Sequence, residues 1–289
     1  MSRALVTGAA SGLGAALTAA LRARGDEVLA TDVTFGAVVS TGSTDGGGSA
    51  DGGGSTDGGG SADGGGSADV TQLRLDVTSD DDWTAALAWV EGHWGGLDLL
   101  VNNAGVAGGG RIDVAGLDEW RWIIETNLLG VVRGCRTFVP MLKRQRSGRI
   151  VNVASLAGLV HPAGMASYNA VKAGVVALTE TLGHELAPYD VRASVVCPSY
   201  FRTNLMSSLR GADEALGAVV TQLVESSPLT ADDIAVAVLA GLDADERVIL
   251  PDPAARAAYD LKLRDRPAYD AQLRHQAERL RGLTEGSGN

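Results

Sequence analysis

Short apolar runs of about strand length recur along this chain and alternate with longer segments of helical periodicity. The runs occupy residues 4–8, 27–32, 72–77, 97–105, 149–155, 191–198 and 247–251. Most are nearly continuous in apolar character, which is typical of strands covered on both faces of a parallel sheet. Their alternation with helices predicts a doubly wound α/β fold, in which helices pack on both sides of one central parallel sheet.

The first run ends in the sequence TGAASGLG, which places Gly8, Gly12 and Gly14 between a predicted strand and a predicted helix over residues 12–24. Gly8 permits a tight turn, Gly12 lets the backbone approach a pyrophosphate, and Gly14 allows the helix to pack closely on the strand. The N–H groups at the helix N-terminus favour phosphate oxygens. The motif therefore predicts a dinucleotide-binding loop.

Asp32 ends the second run, where a carboxylate can accept hydrogen bonds from both hydroxyls of an adenosine ribose. The same charge would repel the additional phosphate of NADP. Neither the glycine loop nor residues 33–36 contain Lys or Arg to attract that phosphate. We therefore expect NAD as the cofactor.

A repeat of Asp, Gly and Ser fills residues 42–69, between the second and third predicted strands. Its triple glycines cannot sustain the expected crossover helix, because each glycine costs about 1 kcal/mol relative to alanine. Without large apolar residues to build a core, the repeat is predicted to be a disordered bridge with no catalytic part. A calcium-binding or partner-binding segment is the alternative. Because a disordered bridge would replace the crossover helix, the sheet face near these two strands is expected to be covered by residues 33–40 or by the C-terminal extension.

Charge and cysteine content exclude several classes of protein. The net charge of −11 and the lack of a basic patch argue against partners such as nucleic acid or an anionic membrane. Cys135 and Cys197 lie in apolar runs, as buried thiols of a reducing compartment do. With no signal-peptide pattern and no stretch of membrane-spanning length, a cytoplasmic location is expected. The acidic sequence SDDDW is predicted to start a helix, with Thr78 or Ser79 as its N-cap, and no metal site is expected.

Four further residues predict chemistry at the carboxyl ends of the strands. Tyr168 and Lys172 share one face of a helix, and the ammonium should favour the phenolate and so lower the pKa of the phenol. Ser155 ends a predicted strand, where ligands meet open α/β sheets. Asn127 lies in a helix between the sequence NNAG, at 102–105, and that strand. Each residue alone is compatible with a structural role.

As a set, these motifs resemble the short-chain dehydrogenase/reductase family. The residues that carry the resemblance follow the family's order: TGAASGLG, Asp32, DV at 76–77, NNAG at 102–105, Asn127, Ser155, YNAVK at 168–172 and PSYFRT at 198–203. The resemblance implies one Rossmann-type domain over residues 1–252 with about seven parallel strands. The repeat at 42–69 is an insertion in this domain, and residues 253–289 form a helical extension, interrupted at Pro267, that packs on the body or on a neighbour. Tyr259, Leu263, Tyr269 and Leu273 give it a weak apolar stripe.

The resemblance also implies an activity, the NAD(H)-dependent interconversion of a secondary alcohol and a ketone. Tyr168 would be the general acid/base, Lys172 would tune it and hold the nicotinamide ribose, Ser155 would bind the substrate oxygen, and Asn127 would support a proton relay. The residues expected at the cofactor are Gly8, Ser11, Gly12, Leu13, Gly14, Asp32, Asp76, Val77, Asn103, Ala104, Gly105, Tyr168, Lys172, Pro198 and Thr203. Those expected at the substrate are Ser155, His161, Met165, Tyr200 and Met206, with a loop histidine without a role as the alternative for His161.

The resemblance implies that the apolar segment after Thr203 is the family's substrate lid, which favours a hydrophobic alcohol or ketone; an ordinary core-facing helix would have the same pattern. Ser199 stands where the family usually has glycine, so the loop on the nicotinamide side is expected to differ locally. A homodimer or homotetramer is implied as well. Two alternatives stay open, an NADPH-linked carbonyl or 3-oxoacyl reductase and a non-catalytic NAD-binding scaffold.

Overall fold

The computed structural model of the protein describes residues 1–36, 39–41 and 70–285, and the repeat at 42–69 lies outside the described residues. Among the described residues, one eight-stranded sheet has the order β3-β4-β2-β1-β5-β6-β7-β8. Its strands are β1 (Arg3–Thr7), β2 (Glu27–Asp32), β3 (Val39–Thr41), β4 (Val70–Arg74), β5 (Leu99–Asn102), β6 (Arg149–Val153), β7 (Arg192–Val196) and β8 (Val248–Ile249). All neighbours pair in parallel except β3, which runs antiparallel to β4. The doubly wound α/β prediction is confirmed.

Helices fill the segments between the strands. They are α1 (Gly12–Ala23), α2 (Asp80–His93), α3 (Leu117–Ile124), α4 (Gly130–Gln145), α5 (Ala157–Val160), α6 (Ala166–Leu186), α7 (Glu214–Glu225), α8 (Ala231–Asp243), α9 (Pro253–Arg264) and α10 (Arg266–Glu285). A π-helical turn, Glu125–Leu129, joins α3 to α4. Ser79 is the N-cap of α2, where its side chain accepts a hydrogen bond from the Asp82 N–H, as a helix start at SDDDW requires.

The sheet differs from the sequence prediction at one edge. Residues 39–41 form the short strand β3 beside β4, so part of the segment 33–40 extends the sheet edge. The predicted strand over 72–77 lies instead at Val70–Arg74. It ends there because the Asp76 N–H donates to the Asp82 carboxylate at 2.8 Å, which turns the chain toward α2. The C-terminal helices do not cover this edge of the sheet, because α9 packs against α5 and α10 packs against α7.

Both faces of the sheet are covered by apolar side chains. On β1, Leu5 belongs to a cluster with Trp83 of α2 and Phe138 of α4. Its neighbours Ala4 and Val6 point to the other face and belong to a second cluster that includes side chains of α1 and α8. This alternation explains the uninterrupted apolar runs, because every residue of a doubly covered strand meets a buried surface. Among the described residues, no helix combines the length and apolar character that crossing a bilayer requires.

The strand order creates a crevice where the site lies. The chain moves outward from β1 to β2 and β4 on one side, and to β5, β6 and β7 on the other. The loops that follow β1 and β5 therefore diverge at the carboxyl edge of the sheet, the place where open α/β sheets bind ligands.

A chain of buried polar side chains links β5, β6 and α6 beneath this edge. The Asn102 amide donates to Asn152 at 2.8 Å, and the Asn152 amide donates to the Thr179 hydroxyl at 2.9 Å. The Thr179 hydroxyl in turn donates to the Val175 carbonyl at 2.7 Å. Cys135 lies against the same asparagines as a free buried thiol, and burial raises its pKa to about 12. Cys135 and Cys197 are both unbridged and buried, as the sequence predicts.

We predict that Thr179→Val destabilises the fold. Valine preserves the shape but removes the acceptor of the buried Asn152 amide, and an unsatisfied buried donor costs about 1–3 kcal/mol. Thr181→Val is the matched control, because Thr181 is on the same helix, is exposed, and makes the same kind of bond to a helix carbonyl. Urea unfolding followed by tryptophan fluorescence should show a lower midpoint for Thr179→Val alone. Equal midpoints would contradict the structural role of the chain.

Candidate active site

The glycine loop is shaped by close backbone approaches. A Cβ atom at Gly14 would lie 2.0 Å from the Gly8 carbonyl oxygen, and one at Gly12 would lie 2.6 Å from the Thr203 hydroxyl. Gly8 and Gly12 also have positive φ angles of +66° and +54°. A side chain is therefore excluded sterically at Gly14, and Gly8 and Gly12 adopt a conformation that favours glycine. The loop leads into α1, with Ser11 as N-cap.

The carboxylate of Asp32 stands beside this loop. One of its oxygens accepts hydrogen bonds from the Thr34 N–H at 2.9 Å and the Thr34 hydroxyl at 2.8 Å. The other accepts from the Ala10 N–H at 3.2 Å. The side chain is thus held at the end of β2, beside the loop that follows β1, as the sequence predicts.

The sequence NNAG closes the other side of the crevice. The Asn103 amide donates to the Thr7 carbonyl at 2.9 Å, and the Thr7 hydroxyl accepts from the Asn103 and Ala104 N–H groups, each at 3.0 Å. These bonds tie the ends of β1 and β5 together beneath the glycine loop. Asp76 and Val77 lie farther along the edge, where the Asp76 carboxylate accepts from the N–H and hydroxyl of Thr78.

Tyr168, Ser155 and Lys172 converge at the carboxyl end of β6. Tyr168 is buried on α6 and shares a hydrogen bond with the Ser155 side chain. Lys172 is also buried, and its ammonium donates to the Val153 carbonyl at 3.0 Å. The Lys172 nitrogen lies 5.7 Å from the centre of the Tyr168 ring. The helical spacing therefore brings the phenol, the hydroxyl and the ammonium together, as expected.

Burial controls the protonation of this group. Desolvation raises the pKa of Tyr168 to about 12, and the hydrogen bond with Ser155 opposes that rise only in part. Desolvation also lowers the pKa of Lys172 to about 8. The sequence predicts a lowered phenol pKa, and the structure shows the opposite shift. The main reason is the cost of burying a phenolate, and the ammonium of Lys172, which is bonded to the Val153 carbonyl, does not reverse the shift.

Asn127 lies in the π-helical turn, and its side chain is fully buried. Its amide donates to the Val106 carbonyl at 2.9 Å and accepts from the Val106 N–H at 2.8 Å. Single π-helical turns often occur at functional sites. The side chain fixes the segment that follows NNAG, and its predicted part in a proton relay to Lys172 stays a prediction.

One cavity of about 1170 Å³ connects these groups. Its nucleotide end is lined by Gly8, Ser11, Gly12, Leu13, Asp32, Asp76, Val77 and Thr78. Its substrate end is lined by Met165, Tyr200, Met206 and by side chains of α7, α9 and α10. Ser155, Tyr168 and Lys172 lie between the two ends, with Asn103, Ala104, Gly105, Pro198 and Thr203. Most predicted site residues therefore line one space.

Three predicted residues do not line the cavity, namely Gly14, Asn127 and His161. Gly14 acts through the loop packing described above, and Asn127 through Val106. His161 was expected at the substrate, but it ends α5 in a left-handed conformation with its ring against the Ala157 carbonyl. Burial, together with the nearby Lys262 and Arg266, lowers its pKa. Its ring is engaged by its own helix turn, so the structure favours the alternative of a loop histidine.

The loop at Ser199 has an anchor that the sequence reading missed. The Ser199 N–H donates to the Asp252 carboxylate at 3.0 Å, and the other oxygen of Asp252 accepts from the Ala255 N–H at 2.8 Å. One buried acid therefore holds the loop after β7 and caps α9.

The wall formed by α10 was missed as well. Tyr269 and Leu273 of the predicted apolar stripe line the cavity, whereas Leu263 is 65% exposed.

The residues present fit a nicotinamide dinucleotide. The loop admits no side chain at Gly14 and has a left-handed backbone at Gly12, the N-terminus of α1 offers N–H groups to phosphates, and Asp32 provides an acceptor for a ribose. Tyr168 and Lys172 line the same space beyond the loop. Such a cofactor would supply a hydride donor or acceptor beside a proton-transfer group.

Comparison with known proteins gives the same assignment. Residues 62–214 match the family model described as short chain dehydrogenase. The 2-(R)-hydroxypropyl-CoM dehydrogenase of Xanthobacter autotrophicus is 32% identical over 250 residues, which cover 84% of this chain and 93% of that protein.

Two solved structures share the fold. A short-chain dehydrogenase/reductase from Burkholderia phymatum in complex with NAD has a TM-score of 0.75 at 27% identity, with 91% of this chain and 93% of that chain covered. A short chain dehydrogenase from Burkholderia cenocepacia in complex with NADP has a TM-score of 0.72 at 26% identity, with 94% and 97% covered. This chain belongs to the short-chain dehydrogenase/reductase family, as an oxidoreductase that uses a nicotinamide nucleotide.

Proposed function

We propose that this protein is an NAD(H)-dependent dehydrogenase that interconverts a hydrophobic secondary alcohol and its ketone. One observation carries the proposal. The buried phenol of Tyr168 and its hydrogen-bond partner Ser155, with the buried Lys172 beside them, lie in a cavity that runs without interruption from the glycine loop to an apolar chamber. A carbinol placed against this pair would face both a proton acceptor and the cofactor-binding space.

The side chains divide the chemistry between them. A bound nicotinamide supplies the hydride acceptor or donor. The Ser155 hydroxyl hydrogen-bonds the substrate oxygen and orients it toward Tyr168. In oxidation the phenolate of Tyr168 takes the carbinol proton, and in reduction the phenol gives it back to the oxygen, so that the loss of a hydride and a proton together converts the alcohol to the ketone.

The raised pKa of Tyr168 bears on the direction of the reaction. At neutral pH the buried phenol holds its proton and is ready to donate it to a ketone. For oxidation, the phenolate has to be stabilised by positive charge. Lys172, on the same helix face, is the cation in position to do this.

The preference for NAD rests on Asp32. Its carboxylate lines the nucleotide end of the cavity, where a 2′-phosphate would meet its negative charge. Among the described lining residues, the basic ones are Lys172, Arg210 and Arg279, none of which lies at the nucleotide end. An NADPH-linked carbonyl or 3-oxoacyl reductase is the second candidate, because one solved relative was determined in complex with NADP.

The hydrophobic substrate is supported by the lining of the substrate end. Met165 and Tyr200 contact each other across it, with the hydroxyl of Tyr200 4.0 Å from the sulfur of Met165. Leu209, Leu216 and Val220 add apolar surface from the segment after Thr203. The cytoplasmic location and the assembly into a homodimer or homotetramer stay predictions.

We predict that Tyr168→Phe lowers the turnover number for secondary alcohols by at least about 100-fold, because general acid–base catalysis contributes about that much or more. Tyr189→Phe, which alters a phenol on the surface at the end of α6, should retain full activity. NADH absorbance would report turnover, and NADH binding should be unchanged in both variants. Equal turnover in the two variants would reject the mechanism.

We also predict that the wild-type protein binds NADH at least about tenfold more tightly than NADPH, and that Asp32→Asn removes most of this difference. A hydrogen bond to a charged group is worth about 1.5–3 kcal/mol, which corresponds to tenfold or more in affinity. The exposed Asp81 of α2 provides the control, Asp81→Asn. Fluorescence titrations with both cofactors test this, and tighter binding of NADPH by the wild-type protein would overturn the assignment.

A further inference from the structure

The C-terminal helices close the substrate end of the cavity. The cavity-lining residues of α10 are Tyr269, Gln272, Leu273, Gln276, Arg279 and Leu280. Their spacing of three, four and seven residues places them on one face of the helix. The face combines apolar side chains with two amides and one guanidinium, a composition unlike the apolar wall formed by α7.

This wall is fastened to the catalytic region at several points. The hydroxyl of Tyr269 donates to the Val160 carbonyl, and the ammonium of Lys262 donates to the Leu159 carbonyl, both on the short helix that follows Ser155. Leu280 packs in the same apolar cluster as Tyr168 and Leu216. The position of α10 relative to the catalytic phenol is therefore set by direct contacts.

The charges that line the cavity are segregated. Its described carboxylates are Asp32, Asp76 and Glu125. Asp32 and Asp76 lie at the nucleotide end. Glu125 forms an ion pair with Arg133, and Arg133 forms a second ion pair with Asp80 of α2. The substrate end has cations instead, Arg279 of α10 and Arg210 of the lid segment.

Of these two arginines, Arg210 lies beside an aromatic ring. The Arg210 guanidinium lies 5.0 Å from the centre of the Trp122 ring. Among the residues whose side chains are described, no carboxylate forms an ion pair with either arginine. Arg279 is exposed to solvent and also lines the cavity. An arginine in this position offers a forked set of donors that matches a carboxylate.

We propose that the α10 face is the specificity wall of the substrate site, and that Arg279 binds a carboxylate at the end of the substrate remote from the reacting carbinol. The amides of Gln272 and Gln276 supply neutral donors on the same face, and Tyr269, Leu273 and Leu280 pack against the apolar part. The substrate class is then a hydroxy or oxo acid with an apolar middle. This inference rests on the proposed function, since it names the substrate of the same site.

A binding experiment tests the inference without requiring turnover. Hexanoate, octanoate and decanoate, and the primary amide of each, are titrated into the protein in the presence of saturating NADH, with cofactor fluorescence as the readout. The wild-type protein should bind at least one carboxylate about tenfold more tightly than its amide, as expected for a charge-assisted hydrogen bond. Absence of this preference at every chain length, or no binding of any of the compounds, would overturn the proposal.

Matched variants locate the carboxylate. Arg279→Gln should abolish the preference, Arg279→Lys should restore part of it, and Arg274→Gln, on an exposed position of α10 outside the cavity lining, should retain it. Loss of the preference in Arg210→Gln, together with its retention in Arg279→Gln, would overturn the assignment to α10. The urea unfolding midpoint of Arg279→Gln should match that of the wild-type protein, because Arg279 is exposed and surface substitutions usually change stability little.

The outcome separates the two proposals. A carboxylate preference that depends on Arg279, in a protein that oxidises no hydroxy acid and no neutral alcohol, would reject the dehydrogenase function and support the anion site. Turnover of neutral secondary alcohols without any carboxylate preference would support the function and reject the anion site.

Discussion

The site depends on how the ends of β1 and β5 are joined. The Thr7 hydroxyl accepts two N–H groups from the loop after β5, and the Asn103 amide returns a hydrogen bond to the Thr7 carbonyl. This reciprocal set lies at the point where the strand order reverses, so it holds open the crevice between two diverging loops. The close approach of Gly14 to the Gly8 carbonyl fixes the adjoining helix. With these contacts in place, the cofactor space and the phenol of Tyr168 are parts of one rigid edge of the sheet.

Burial shifts the pKa values of the neighbouring Tyr168 and Lys172 in opposite directions. Desolvation keeps the proton on Tyr168 and weakens the hold of Lys172 on its own proton, with a pKa of about 12 for the first and about 8 for the second. Burial alone therefore favours the uncharged form of both side chains. Because the low dielectric strengthens every added charge, the protonation of this pair is sensitive to any charge that enters the cavity.

Much of this could be predicted from the sequence, because the signals are local or depend on strand ends. The glycine loop, Asp32, Ser155 and the spacing of Tyr168 and Lys172 each lie at a strand end or within one helix, and the parallel topology brings them together. The differences arose where side-chain hydrogen bonds or burial decide. The end of β4 depends on the Asp82 carboxylate, the direction of the Tyr168 pKa shift on the burial of its side chain, and the place of His161 on the turn that ends α5. Apolar periodicity does not report any of these.

The C-terminal helices show a second limit of prediction from the sequence. An amphipathic stripe shows that a helix packs against something, but the sequence does not say which surface. Asp252 resolves the question physically, because one buried carboxylate binds both the loop after β7 and the first turn of α9. The chain is thus fastened beside the active site before α10 begins, and the hydroxyl of Tyr269 completes the attachment at Val160. The proposed catalytic residues lie on α6 and just after β6, whereas α10 provides the outer wall of the substrate end. Under the proposed function, substrate choice and chemistry therefore depend on different elements of the fold.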